Sequence, residues 1–323
     1  MIIASRPALQ TIQRFVFLPT IYLLASPAFP WGCQGHRVIA LIAADQLTSH
    51  AQSASARLLS EYSSDPSLRP FCGPSDLPAF AQMSTWADDI RSRRKETAPW
   101  HFIDIPLDAG RGQLGESCPS STGCITSAIQ SQLDILRSSA GDQKKAEALV
   151  FVIHLAGDLH QPLHAASNND RGGNCLPVAF LGQEPRESAG ASFKPNLHSV
   201  WDIDLVDRII QDQDLRAFAG ALKREFSDDI GAWKRSEANL EDWAWESHEA
   251  AVKVSYGALP RKIPVETPRT VETCADDDHV STRLYDLHEK VDESYFRVAA
   301  PLIRRQLALA GTRLALLLNQ IWP

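Results

Sequence analysis

The stretch 154–164, His-Leu-Ala-Gly-Asp-Leu-His-Gln-Pro-Leu-His, packs three histidines and one carboxylate into a mainly apolar run. His154 and Asp158 are four residues apart, so on a helix they share one face. Pro162 cannot continue the interior of that helix, so the chain is expected to bend there and bring in His164 from a second direction. Imidazole and carboxylate are the usual zinc ligands where thiolates are absent. The stretch therefore predicts a metal site on a buried helix, because buried His and Asp side chains need partners.

Further motifs of the same residue types occur along the chain, several of them beside a tryptophan. Each is weak alone, because a single His next to Trp is more often a packing residue and a His-x-x-x-Asp pair is common on helices. Together, and in this order, they are specific. They supply Asp88 after Trp86, His101 after Trp100, the pair His198 and Asp202, and Trp31 with His36.

Apolar residues recur with helical spacing over seven segments, whereas strand patterns are sparse. The helical segments are 37–47, 125–136, 146–159, 197–210, 215–226, 239–254 and 294–321. The intervening segments 62–82, 105–123, 168–195 and 257–282 are rich in Pro, Gly, Ser and Asp, which predicts loops. With no internal repeat and no long linker, the chain of 323 residues predicts one all-α, multi-helix domain with long loops.

Together these motifs resemble the S1/P1 nuclease family of zinc-dependent nucleases, which shares its fold with bacterial zinc-dependent phospholipase C. The resemblance runs from Trp31 to the end of the chain and includes 245–247 and 311–319. It implies an all-α domain of the phospholipase C/P1 nuclease type. It also implies an endonuclease that hydrolyses single-stranded DNA and RNA to 5′-phosphorylated products and removes 3′-phosphates from nucleotides.

The resemblance further implies three Zn²⁺ ions, which suits eight side-chain ligands because a single tetrahedral ion cannot use so many. One ion would take Asp88, His101, His154 and Asp158. A second would take the amine and carbonyl of an N-terminal Trp31, His36 and the other oxygen of Asp158. The third would take His164, His198 and Asp202.

The same resemblance gives catalytic and substrate-binding roles to further residues. Asp88 would orient the nucleophile, and Arg91 would stabilise transition-state charge; the alternative for Arg91 is a surface salt bridge. Phe102 would stack on a nucleobase, unless it belongs to the core, and Asp104 would accept hydrogen bonds from the base edge. Asn174, after two glycines, would anchor a loop or touch substrate.

Residues 1–30 are typical of a secretory signal peptide, with Arg6 and Arg14 before a short apolar run. The apolar run is too short and too interrupted by proline to favour a membrane anchor. The nuclease domain would then be residues 31–323, secreted or periplasmic. Pro30 precedes Trp31, so cleavage after Ala28 would be easier, and further trimming would be needed to expose the Trp31 amine.

Six cysteines in an exported chain favour disulfides. Cys118 and Cys124 flank a turn-rich loop and predict a local bridge. The other four allow three pairings, among which the sequence does not choose. They are Cys33, Cys72, Cys175 and Cys274.

The formal net charge is −7, which counts against a broad groove for duplex nucleic acid. The expected partners are single-stranded nucleic acid and 3′-nucleotides as substrates, with no stable protein partner and a monomeric state. Two alternatives stay open: a zinc-dependent phospholipase C and a non-catalytic zinc-binding protein. That phospholipase family tends to carry Glu where this chain has Asp202 and lacks the His101 to Asp104 arrangement, which favours the nuclease.

The remaining histidines are not assigned as ligands. His160 is expected to support neighbouring ligands or to contact solvent. The others are expected at the surface, because their surroundings are polar. They are His50, His248, His279 and His288.

Overall fold

The computed structural model describes residues 31–63, 65, 67–187, 193–269, 271, 273–276 and 289–323. The predicted signal peptide, His279 and His288 lie outside these residues.

The described chain is mostly helical, which confirms the predicted all-α class. The first half contains α1 (Gly32–Ala44), α2 (Ser49–Glu61), α3 (Ala79–Gln82), α4 (Trp86–Arg91), α5 (Ile125–Arg137) and α6 (Asp142–Asp158). The second half contains α7 (Leu197–Ser199), α8 (Leu205–Ile210), α9 (Leu215–Glu225), α10 (Ser227–Arg235), α11 (Leu240–Ala250) and α12 (Glu293–Ile321).

Short 3-10 and π turns link or extend several of these helices. The 3-10 turns are Met83–Thr85, Lys95–His101, Arg111–Ser117, Pro162–His164 and Cys274–Asp276. The π turns are Val200–Asp204, which joins α7 to α8, and Ala251–Tyr256, which extends α11.

Helix α6 is the centre of the core, because its residues from Ala148 to Asp158 are all buried. It packs against α2, α5 and α12, and α12 packs in turn against α1. The long helix α12 buries one apolar stripe, which includes Ile303, Leu307 and Leu314, as its helical spacing predicts. This arrangement fixes α6 from several sides and therefore fixes the side chains that α6 carries.

Strands are few and short. Strand β1 (Val178–Phe180) pairs in parallel with β4 (Glu289–Val291), and β2 (Arg186–Glu187) pairs in antiparallel with β3 (Phe193–Lys194). The predicted loop 168–195 thus contains strands, and the predicted loop 105–123 contains a 3-10 turn.

All six cysteines form disulfides, and the local bridge predicted between Cys118 and Cys124 is present. The pairings that the sequence left open are Cys33 with Cys72 and Cys175 with Cys274. Within the described residues, no helix has the length and apolar character needed to cross a membrane.

Candidate metal centre

Asp158 lies at the centre of a buried group of three imidazoles. His154, one turn earlier on α6, places Nε2 at 3.1 Å from Oδ2 of Asp158, and His101 places Nδ1 at 2.9 Å from the same oxygen. His36, from α1, places Nε2 at 3.1 Å from the other oxygen, Oδ1. The rings of His36 and His154 stack at 4.1 Å between centroids. Asp158 can therefore act as a ligand at two adjacent positions, one at each carboxylate oxygen.

Asp88, on α4, completes the first group. Its Oδ1 lies 3.7 Å from Nδ1 of His101, and its Oδ2 lies 3.8 Å from Nε2 of His154. The ligand atoms of Asp88, His101 and His154 fall within 4.8 Å of one another, and those of His36, His154 and Asp158 do likewise. Such spacing suits a metal ion between the ligands better than direct hydrogen bonds.

A second buried group combines the 3-10 turn after α6 with helix α7 and its π extension. Nε2 of His198 lies 3.1 Å from Oδ2 of Asp202, and Nε2 of His164 lies 3.8 Å from Oδ1. The two imidazole rings stack at 4.9 Å. The bend at Pro162 thus places His164 in the second group, whereas His154 belongs to the first. The structure brings all eight predicted side-chain ligands into these groups.

Main-chain carbonyls orient three of the imidazoles from behind. Nδ1 of His154, His164 and His198 each lies 2.7 Å from a carbonyl oxygen, those of Ser84, His101 and Gly172 respectively. An Nδ1–H that donates to a carbonyl leaves the Nε2 lone pair free to face the group.

Two glycines make this packing possible. A Cβ at Gly157 would lie 2.9 Å from Nδ1 of His36, so the absence of a side chain lets that imidazole lie against α6. Gly172 has φ of +62°, and a Cβ there would lie 2.3 Å from the carbonyl oxygen of Leu163. Only glycine fits this left-handed turn, which aims the Gly172 carbonyl at His198.

The pKa values of the buried ligands and their unpaired atoms favour a bound cation. Burial raises the pKa of Asp88 to about 7. Burial lowers the pKa of His154, but the carboxylates of Asp158 and Asp88 outweigh it and raise that pKa to about 9. Ligation requires ionised Asp and neutral His, which divalent cations would favour. In the described part of the chain, several buried ligand atoms also have no hydrogen-bond partner. They are Asp88 Oδ1, Asp158 Oδ1, His164 Nε2 and Asp202 Oδ2.

Trp31 is buried next to this centre, immediately before α1. Its indole Nε1 donates to the carbonyl of Gly157 at 2.8 Å, and its own carbonyl accepts from Gly35 N at 3.0 Å. A carbonyl oxygen has a second lone pair, so the Trp31 oxygen can still act as a ligand. The indole bond fixes the Trp31 main chain beside the helix that carries Asp158.

Arg91 is the cation of the site. It lies at the end of α4, and its NH1 is 3.6 Å from Oδ1 of Asp88. The side chain is 17% exposed, so the guanidinium stays within reach of a ligand that enters from solvent. The structure therefore puts Arg91 beside Asp88 at the metal centre.

A pocket of about 930 Å³ is lined in part by residues 102–104, which directly follow the predicted ligand His101. Phe102, which follows the ligand His101, is 37% exposed and lines it. Asp104, which is exposed, lines the same pocket. The pocket thus offers an aromatic face at Phe102 and several carboxylate acceptors, among them Asp104.

Asn174 closes a turn: its Nδ2 donates to the carbonyl of Arg171 at 2.9 Å. This turn carries Gly172, so Asn174 supports the loop behind His198.

The unassigned histidines divide between the surface and the core. His50 is exposed, as predicted, but His248 is buried, so the surface prediction for it was wrong. Its Nδ1 lies 3.2 Å from the carbonyl of Ala165, and its ring packs on Trp245. His160 is also buried, and its Nε2 lies 3.2 Å from NH1 of Arg313. His160 therefore contacts no solvent.

Comparison with known proteins places the chain among nucleases. A profile of the S1/P1 Nuclease family matches residues 31–323. Endonuclease 2 of Arabidopsis thaliana is 27% identical over 341 aligned residues, which cover 99% of each chain. Nuclease S1 of Aspergillus oryzae is 31% identical over 187 residues, 56% of each chain. Nuclease P1 of Penicillium citrinum is 32% identical over 186 residues, 56% of this chain and 60% of its own. The family resemblance found in the sequence is confirmed.

Proposed function

Because the chain belongs to the S1/P1 nuclease family and is therefore a hydrolase of phosphodiester bonds, we propose that it is an endonuclease for single-stranded DNA and RNA. Its products carry 5′-phosphates, and it also removes 3′-phosphates from nucleotides. The observation that carries the proposal is the pair of buried His/Asp groups, together with the exposed aromatic side chain of Phe102, which directly follows the ligand His101 and lines a pocket.

The resident metal is proposed to be zinc, with three ions, because the donors are imidazoles and carboxylates. The first ion is assigned to Asp88, His101, His154 and Asp158. The second is assigned to Trp31, His36 and Asp158. The third is assigned to His164, His198 and Asp202. Zinc bound there supplies Lewis-acid activation of water and of the phosphate.

The protein's own groups position the reactants. Asp88, whose Oδ1 lies 3.6 Å from NH1 of Arg91, is proposed to accept a hydrogen bond from the attacking water. The Arg91 guanidinium donates to a phosphate oxygen and stabilises the negative charge that grows there in the transition state. Asn174 contributes through the turn that holds Gly172 against His198.

Preference for single strands follows from the aromatic side chain beside the metal centre. Stacking on Phe102 needs a base that has left its own stack, which a single strand supplies at little cost. Stacking also tolerates every base, so DNA and RNA both qualify. Asp104 accepts hydrogen bonds from the edge of the stacked base. The net charge of −7 fits local capture of a phosphate and not a broad duplex groove.

The mature enzyme is proposed to begin at Trp31, after removal of residues 1–30, and to be secreted or periplasmic. A free amine at Trp31 would complete the second ligand set, and the buried indole already fixes that residue beside Gly157. Three disulfides support an oxidising compartment. A monomer is sufficient, since one chain supplies all the assigned ligands.

The test is digestion of end-labelled single-stranded and duplex DNA of one sequence by the purified mature protein, with metal content measured on the same sample. We expect rapid cutting of the single strand to 5′-phosphate ends, loss of activity with a chelator, and recovery with Zn²⁺. Three bound zinc ions with no cutting of either strand would refute the nuclease. Hydrolysis of phosphatidylcholine by that sample would then support the phospholipase C alternative.

A further inference from the structure

Asn168 and Asn169 are two adjacent buried asparagines, a few residues after the ligand His164. We propose that they are positioning residues for the substrate, because their side-chain amides hold the main chain of residues 264–269 as one wall of the pocket that Phe102 lines. This inference rests on the proposed function, in which a base of the strand stacks on Phe102. It adds that a preformed wall, together with the aromatic side chain, determines how tightly the nucleotide binds.

Each asparagine uses both ends of its amide on this stretch of main chain. In each case Nδ2 donates to a carbonyl, and Oδ1 accepts from the nitrogen two residues later. Asn168 bonds in this way to Pro264 O and Glu266 N, both at 2.9 Å, and Asn169 bonds to Thr267 O at 2.7 Å and Arg269 N at 2.9 Å. Two neighbouring side chains therefore make four hydrogen bonds to the segment.

The segment 264–269 depends on such contacts for its path. It forms neither helix nor strand. It runs between two fixed points, since Ile263 is buried and Cys274 is disulfide-bonded to Cys175. Main-chain N–H and C=O groups need partners where they leave water, and the two asparagines supply them between these points. They therefore fix the segment where it passes the pocket.

The asparagines connect this segment to the one that carries Phe102 and Asp104. Ser167, which directly precedes Asn168, donates from its main-chain nitrogen to the carbonyl of Ile105 at 2.9 Å. Three stretches of main chain, 103–106, 167–169 and 264–269, are thus joined in series. Each of them contributes residues to the same pocket. A ligand that enters a pocket with fixed walls loses less free energy to ordering the protein, so it binds more tightly.

Asn168 is the residue that separates a positioning role from direct contact with the substrate. Asn169 lines the pocket, whereas Asn168 is not among the described residues that line it and is 2% exposed. A loss of substrate affinity in an Asn168 variant must therefore pass through the segment that Asn168 holds.

The matched control is Asn319, in the last turn of α12, which makes the same two-ended amide contact elsewhere. Its Oδ1 accepts from Thr48 N at 2.8 Å, and its Nδ2 donates to Gln46 O at 3.0 Å. These bonds join α12 to the turn between α1 and α2, away from the residues that line the pocket. Asn319→Ala therefore reports the cost of losing such a contact without any effect on the wall.

The experiment compares the zinc-loaded wild type, Asn168→Ala, Asn319→Ala and Asn169→Gly. Glycine is chosen at 169 because φ there is +56°, which glycine adopts without strain. Affinity is measured for a thymidine dinucleotide whose linkage is a charged methylene phosphonate, which the enzyme cannot hydrolyse. Amide hydrogen exchange over residues 264–269, zinc content and thermal midpoint are measured on the same samples, and KM and kcat are measured on a single-stranded oligonucleotide.

We expect Asn168→Ala and Asn169→Gly to keep their zinc, to exchange faster over 264–269 and to bind the dinucleotide roughly tenfold more weakly, because the ligand must then order the wall. Asn168→Ala should raise KM and leave kcat unchanged. Asn319→Ala should lower the thermal midpoint but match the wild type in affinity and in exchange over 264–269.

Faster exchange over 264–269 in Asn168→Ala with wild-type affinity would overturn the inference, because the segment would then be no wall for the substrate. Unchanged exchange, or equal losses of affinity in Asn168→Ala and Asn319→Ala, would overturn it as well. If Asn168→Ala does not fold, Asn169→Gly decides by the same criteria. Binding of the dinucleotide needs no turnover, so the expected losses in a protein that cuts no strand would refute the proposed function alone.

Discussion

Gln161 donates a hydrogen bond from Nε2 to Oδ1 of Asp202 at 2.5 Å, and both side chains are buried. The other end of the same amide, Oε1, accepts from the main-chain nitrogen of Leu163 at 2.6 Å. Leu163 precedes the ligand His164, so one side chain ties the Asp202 carboxylate to the turn that carries His164. Gln161 thereby sets the distance between two ligands that come from different helices.

Replacement of Gln161 should weaken zinc binding at the group that contains His164 and Asp202. We expect Gln161→Ala to lower zinc affinity there about 10- to 100-fold, the usual cost of losing a residue that orients a ligand. Gln161→Glu should weaken it further, because its carboxylate would repel that of Asp202. The measurement is the zinc content that remains after dialysis against graded chelator. Gln130→Ala, at an exposed position on α5, is the control. A Gln161→Ala protein that keeps its zinc through the whole series would contradict this role.

Gly157 should be intolerant of a side chain. A Cβ there would meet Nδ1 of His36 at 2.9 Å, and that imidazole is stacked on His154. We expect Gly157→Ala to displace His36 and to lower zinc affinity roughly tenfold or more. Gly141→Ala is the matched control, since nothing lies within 4 Å of a Cβ at that position. The check is zinc content together with the thermal midpoint. Equal zinc content in the two alanine variants would show that His36 can move without loss.

The helices that apolar spacing predicted include α6, which is buried on all sides over its second half, and α12, which buries one stripe. Segment 146–159 overlaps α6, which begins four residues earlier, and segment 294–321 matches α12 within a residue at its start. Helix α2 escaped prediction because it buries three residues, Ala51, Ser55 and Leu58, of which Leu58 is the one large apolar side chain. Helix α10 is similar, since Trp233 is its one buried residue among those described. Thr48 caps the start of α2, and α10 is completed by tertiary contacts with α12.

The candidate ligands could be found from sequence because they are His and Asp residues at a recognisable spacing, such as the four-residue separation of His198 and Asp202. What orients them could not be found in that way. The partners of His154 and His198 are the main-chain carbonyls of Ser84 and Gly172, which every residue type possesses. The role of Gln161 was also missed, although it stands inside the opening stretch. Its side chain contacts Asp202, which is distant in sequence, so no local sequence pattern indicates the contact.

We expect Arg91 to affect the rate of hydrolysis and not the affinity for zinc. We expect Arg91→Ala to retain its zinc and to lower kcat about 100-fold, as is typical when one donor to transition-state charge is removed. Arg91→Lys should recover part of the loss, because a point charge replaces a two-pronged donor. Single-turnover rates on a labelled oligonucleotide, with zinc content, make the measurement. Arg57→Ala, which removes an exposed ion pair with Asp142, is the control. Full activity in Arg91→Ala with zinc in place would reduce Arg91 to a surface residue.

The burial of His248 has a consequence for stability at acid pH. Burial lowers the pKa of His248 below the ordinary value of 6.5, so the folded chain keeps this imidazole neutral where the unfolded chain protonates it. As pH falls below 6.5, the unfolded state therefore binds more protons and the free energy of unfolding falls, by at most about 1.4 kcal/mol per pH unit for one group. We expect His248→Gln to lose less stability than the wild type between pH 7.5 and pH 5, measured by urea unfolding. His50→Gln, at an exposed position, should follow the wild type throughout. A His248→Gln protein with the wild-type slope would mean that His248 is protonated in the fold, and that another buried group sets the acid limit.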